Sequence, residues 1–192
     1  MIRALYNWTM ALGESRYALY ALALIAFIES SVFPIPPDVL LIPMIIALPH
    51  RAFLFAFVAT IASVLGGMFG YYIGAALMDS LGQPLLDFYG KAAQFDQFKA
   101  TYNEYGAWAV LIAGITPFPY KVITILSGST GLDLGVFVLS STLARAARFF
   151  LIAVLLWKFG IPVRSFIEKR LGLVFIVAVT LLLGGFLMVK VL

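Results

Sequence analysis

Residues 28–43 read IESSVFPIPPDVLLIP, an apolar run interrupted by Glu29, Asp38 and the prolines 34, 36, 37 and 43. A proline donates no backbone hydrogen bond and breaks the helix that carries it. In hydrocarbon, broken backbone is tolerated only where protein or water buries it. The stretch therefore predicts a re-entrant hairpin with its tip near mid-membrane, marked by Pro34 and Pro36, rather than a single crossing. It leaves a question about the two acids.

A second stretch repeats the pattern. Residues 114–128 read GITPFPYKVITILSG, and the two align without a gap: Pro34 with Pro117, Pro36 with Pro119, Asp38 with Lys121, and Val39 with Val122, each at an offset of 83. A long apolar segment follows each, 52–78 and 134–157, and a last one runs from 171 to 189. An all-α integral membrane protein is expected, with two inverted copies of hairpin plus transmembrane helix and an additional C-terminal helix, a design used by transporters. The chain reads as one transmembrane domain, 1–192. Repeat one covers about 15–78, an amphipathic connector 79–105, repeat two 106–160 and the final helix 170–190.

Composition agrees. The chain has 192 residues, is 63% hydrophobic and only 11% charged, and has a mean hydropathy of +1.04. A soluble domain carries about 25% charged residues. The net charge of +4 is scattered, so no nucleic-acid partner is expected. Cysteine is absent, which removes disulfides and thiolate ligands, and the single histidine, His50, cannot build a metal site. No metal or cofactor is expected. MIRALYNWTMAL at the start reads as a short interfacial helix rather than a cleaved signal.

If each hairpin returns to its side of entry, one face collects Arg3, Arg16, Arg51, Lys158, Arg164, Lys169 and Arg170. The other holds Lys91, Lys99 and Lys190 beside Asp79, Asp87, Asp96 and Glu104. The positive-inside rule makes the first face cytoplasmic. A multi-pass protein of the inner membrane with a cytoplasmic N-terminus is expected. In the connector, Phe88, Phe95, Phe98 and Tyr102 recur at helical spacing, which predicts an amphipathic helix lying on the outer surface.

Five ionisable residues fall at membrane depth: Glu29, Asp38, Lys121, Arg145 and Arg148. Each is costly against lipid, so such residues pair or line a polar path. Arg145 lies about 16 Å along the helix that begins near Leu134, at roughly 1.5 Å per residue. Arg148, one turn on, shares its face. Two planar forks on one face suit a phosphate, so Lys121, Arg145 and Arg148 are the candidate headgroup-binding set. Glu29 and Asp38, near the first tip, are the candidate proton-coupling residues. The repeat pairs Asp38 with Lys121, and the cluster sums to +1, the charge that a monoanionic phosphodiester neutralises. No catalytic residue is assigned. Gly66, Gly70 and Gly74 form a small-residue stripe for close packing, within the chain or between copies of it, so a homo-oligomer stays open.

Glu29 before a proline-broken hairpin, GGMFGYYIG at 66–74, TPFPYK at 116–121 and LARAARFF at 143–150 together resemble the DedA family, also called VTT-domain or SNARE-associated membrane proteins, and in particular its YqaA-like branch. The resemblance spans about residues 15–160. It implies two re-entrant hairpins facing each other in a helical bundle and movement of phospholipids or polyprenyl-phosphate carriers across the bilayer, coupled to protons. It also implies functional roles for Glu29, Asp38, Arg145 and Arg148. One departure is that better-known branches carry arginines in the second hairpin, where this chain has Lys121.

The residues and the resemblance lead to a non-enzymatic transporter of anionic lipid, whose partners are membrane lipids and protons. A proton-coupled transporter of a small ion or solute would use the same acids. A lipid-modifying enzyme fits less well, because the embedded set has no His or Cys nucleophile and no carboxylate cluster for a metal.

Overall fold

The computed structural model describes residues 17–33, 36–116 and 118–169. The interfacial N-terminal helix, the final helix 170–190, Pro34 and Pro117 lie outside them. Every regular element among the described residues is helical: α1 (Ala18–Ser31), α2 (Asp38–Ala47), a 3₁₀ turn (Pro49–Arg51), α3 (Ala52–Leu77), a π turn (Met78–Gly82), α4 (Gln83–Phe88), α5 (Ala92–Ile115), α6 (Tyr120–Ser129) and α7 (Leu134–Lys169). Among the described residues two stretches are long and apolar enough to cross a membrane, Pro49–Phe88 and Leu134–Gly160.

The chain breaks where the prolines are. Pro37 caps α2 and Asp38 is its first residue, a position at which proline's fixed φ suits helix entry. At the second break Thr116 is driven to ψ 167. A residue before proline is pushed out of the helical region by the ring, which accounts for the stop. Helix α7 deviates at Phe159, with φ −118 and ψ 17. Pro162 lies just beyond and cannot donate to the turn before it.

The connector differs from the expected single surface helix. Residues 79–88 continue α3 through the π turn into α4, and α5 begins at Ala92, so the segment is a helical hairpin made of extensions of its neighbours. The reversal is at Gly90, whose φ of 62 suits glycine. There the Lys91 amide donates to the Leu86 carbonyl and the Gly90 amide to that of Asp87. This is the Schellman pattern that terminates helices, and Gly131 repeats it after α6. The predicted aromatic row is split accordingly. Phe95, Phe98 and Tyr102 touch along α5, whereas Phe88 meets Tyr89 on α4.

Helix α3 is central, and its glycines bring two others close. A Cβ at Gly66 would fall on the backbone of Phe27 in α1, and one at Gly74 on the carbonyl of Ile125 in α6. Gly128 of α6 meets the Tyr71 backbone in the same way. The stripe is thus used inside the chain. Two apolar cores result, one joining α1, α2, α3 and the later part of α7, the other joining α5, α6 and the start of α7. The Phe53 ring at the start of α3 packs against that of Trp157 late in α7, so the two long helices run antiparallel, with Arg51 and Lys158 near one end.

Candidate functional site

Between the two cores lies a buried polar layer. Glu29, two residues from the end of α1, receives Arg145 Nη2 on Oε2 at 2.6 Å. Arg145 is 2% exposed, and its guanidinium lies 4.7 Å from the Tyr120 ring centre and 4.8 Å from that of Phe149. Its Nε donates to Ser63 Oγ at 2.6 Å. Ser63 and Ser30 hydroxyls are 2.6 Å apart, and Ser30 donates to Glu29 Oε2 at 3.1 Å. Because the guanidinium can only donate and the Ser30 proton goes to Glu29, Ser63 donates to Ser30. Arg145, Ser63, Ser30 and Glu29 therefore close a ring of four hydrogen bonds. Such a closed ring offsets part of the desolvation cost of burying the pair.

The second acid has a different partner from the one the repeat predicted. Arg148 Nη2 donates to Asp38 Oδ2, and Nη1 donates to the Thr116 carbonyl at 2.8 Å. Lys121 instead donates to the Val32 carbonyl at 3.2 Å. The reason lies at the helix ends. Val32 and Thr116 are the C-caps of α1 and α5, where carbonyls lack intrahelical donors and the dipole favours a cation. Each broken helix thus ends on a cation from elsewhere: Lys121 of the second break caps the first, and Arg148 caps the second. With two pairs cancelled, Lys121 carries the surplus charge.

The sequence-predicted residues Glu29, Asp38, Lys121, Arg145 and Arg148 are all brought to the two breaks. The two arginines do not form one open clamp, since each fork is taken by its own acid. Pro36 lies just before α2 and Pro119 just before α6. Residue reasoning missed Ser30, Ser63, Tyr120 and Thr124, all buried. Thr124 donates to the Ser30 carbonyl at 3.0 Å, and Tyr120 donates to Ser141. Their signal was a hydroxyl in an otherwise apolar helix, which is common enough to pass unnoticed without a partner in view.

The comparisons with known proteins bear on this arrangement. An uncharacterised protein of Haemophilus influenzae is 39% identical over 168 residues, covering 85% of this chain and 87% of that protein. A protein of Histophilus somni, described as an uncharacterised HI0703 homologue, is 38% identical over the same lengths. No solved structure shows a significant match. The VTT domain matches residues 35–158, a segment that takes in both breaks, α3 and both arginines. With that domain over more than half its length, this membrane protein belongs to the VTT-domain, or DedA, family.

Proposed function

We propose that the protein moves an anionic, phosphate-bearing lipid between leaflets, the headgroup crossing at the polar layer while the tails stay in the bilayer. The observation that carries the reading is the pair of guanidinium groups on α7, Arg145 buried and Arg148 half-buried midway along a span, each met by an acid from beside the first break. Charges at such depth are costly and are retained at substrate and ion paths. Arginine's fork matches the two free oxygens of a phosphodiester. On this reading Glu29 and Asp38 couple transport to protons, and no covalent chemistry takes place.

Support for an inverted repeat comes from packing. Helix α3 rests on α1, α6 and α7, while α7 rests on α5, α2 and α3. A two-fold exchanging α1 with α5, α2 with α6 and α3 with α7 would generate that pattern, with re-entrant hairpins at the breaks. The cationic end of the bundle, with Arg51 and Lys158, is then cytoplasmic by the positive-inside rule, and the membrane is the inner one.

The test is reconstitution into vesicles containing fluorescent phosphatidylglycerol, with leaflet exchange followed by quenching from outside. Exchange is expected to exceed that of protein-free vesicles, and Arg148→Lys, which keeps charge but loses the fork, to slow it about tenfold. No acceleration by the wild type would refute the reading. Solute uptake without lipid movement would favour the ion or solute class instead.

A further inference from the structure

The two ion pairs are not equivalent. Arg145 is enclosed between two aromatic rings, and its Nε and Nη2 close the hydrogen-bonded ring with Ser63, Ser30 and Glu29. Arg148 is 20% exposed and Asp38 18%. Asp38 reaches it through Oδ2, while Oδ1 is buried without a hydrogen-bond partner. Asp38 is also the first residue of α2, at the edge of the chain break, whereas Glu29 sits within α1. A carboxylate with one oxygen paired and the other orphaned is a poorly satisfied acceptor. A phosphate monoanion can place an oxygen on Nη2 in place of Asp38 while Nη1 stays on the Thr116 carbonyl, and the charge-assisted bond is kept.

We infer that Asp38 is an internal competitor: it holds Nη2 of Arg148 when no ligand is bound, beside the Thr116 carbonyl on Nη1, and an incoming phosphate oxyanion displaces it while the Glu29–Arg145 ring stays closed. This rests on the phosphate-binding reading above and divides its labour, making Arg148 the exchangeable cation and Arg145 a fixed one. The same oxyanion chemistry comes from a lipid headgroup or from free phosphate. Because only molecules with Nη2 released bind, Asp38 lowers apparent affinity by the fraction in which it is engaged.

The experiment is calorimetric titration of the purified full chain in detergent with dihexanoyl phosphatidylglycerol and, separately, with inorganic phosphate. Asp38→Asn is expected to bind about tenfold more tightly than the wild type. Asp38→Ser serves as the second variant if the first is not monodisperse. Asp96→Asn, at an exposed carboxylate of α5, controls for the general effect of removing a negative charge and is expected to give no comparable gain. Unchanged or weaker binding by the Asp38 variants, with the wild type still binding, overturns the competitor and leaves the phosphate reading standing. Equal tightening by Asp96→Asn also overturns it, since the gain would then be generic. Failure of every protein to bind either probe overturns both readings. Tightening toward inorganic phosphate alone supports the competitor and assigns the site to free phosphate.

Discussion

Glu29 and Arg145 meet at 2.6 Å across 116 residues of chain, with the arginine almost fully enclosed. A charge in that position depends on its partner, because neither water nor lipid can replace it. Neutralising one side of a buried pair costs about 3 to 5 kcal/mol, while replacing both with apolar groups is often neutral. Glu29→Gln and Arg145→Met should each lower the melting temperature in detergent, and the double variant should recover much of the loss. Losses that simply add would show the pair to be uncoupled.

Ser63 holds the Nε of that arginine. Ser63→Ala leaves a charged donor buried without an acceptor, at a cost of about 1 to 3 kcal/mol. Ser30→Ala breaks the same ring, so the two substitutions together should cost less than the sum of each alone. A thermal-shift series of the two singles and the double measures the coupling, and strict additivity would dissolve the ring.

Asp38 should couple to Arg148 and not to Lys121. A double-mutant cycle of Asp38→Asn with Arg148→Gln is expected to show an interaction of about 0.5 to 3 kcal/mol, and one with Lys121→Gln to lie within about 0.5 kcal/mol of additive. Coupling of the reverse order would restore the pairing that the proline alignment suggested.

The glycines of α3 provide a packing test. Gly66→Ala places a methyl on the Phe27 backbone and Gly74→Ala one on the Ile125 carbonyl, neither of which can turn aside. Each should cost about 1 to 3 kcal/mol or abolish the monodisperse protein. A Cβ at Gly160 meets nothing within 4 Å, so Gly160→Ala should leave the melting temperature unchanged or slightly raised. Size-exclusion profiles and melting temperatures of the three variants decide it, and equal behaviour would mean that α3 does not approach α1 and α6 so closely.

The sequence by itself determined the class of the molecule and where the two proline breaks fall. The low charge and long apolar runs require a membrane, and Pro37 and Thr116 before Pro117 start or end helices through local backbone sterics that need no neighbour, whereas the reversal at Gly90 went unread in a connector expected to be one helix. It also named the five ionisable residues that gather at the breaks, since a charge in an apolar run is conspicuous wherever the run folds. What only the tertiary structure decided is who partners whom. The proline alignment set Asp38 opposite Lys121, but equivalence in a repeat fixes position along the chain, not the direction in which a long side chain reaches. Lys121 reaches the unmet carbonyl of Val32, Arg148 takes Asp38 and Thr116 together, and Ser63 becomes an anion-side relay for Arg145 only because Gly66 and Gly70 let α1 lie against α3. Those choices depend on distances between segments far apart in sequence, and on which buried donor would otherwise be left without an acceptor.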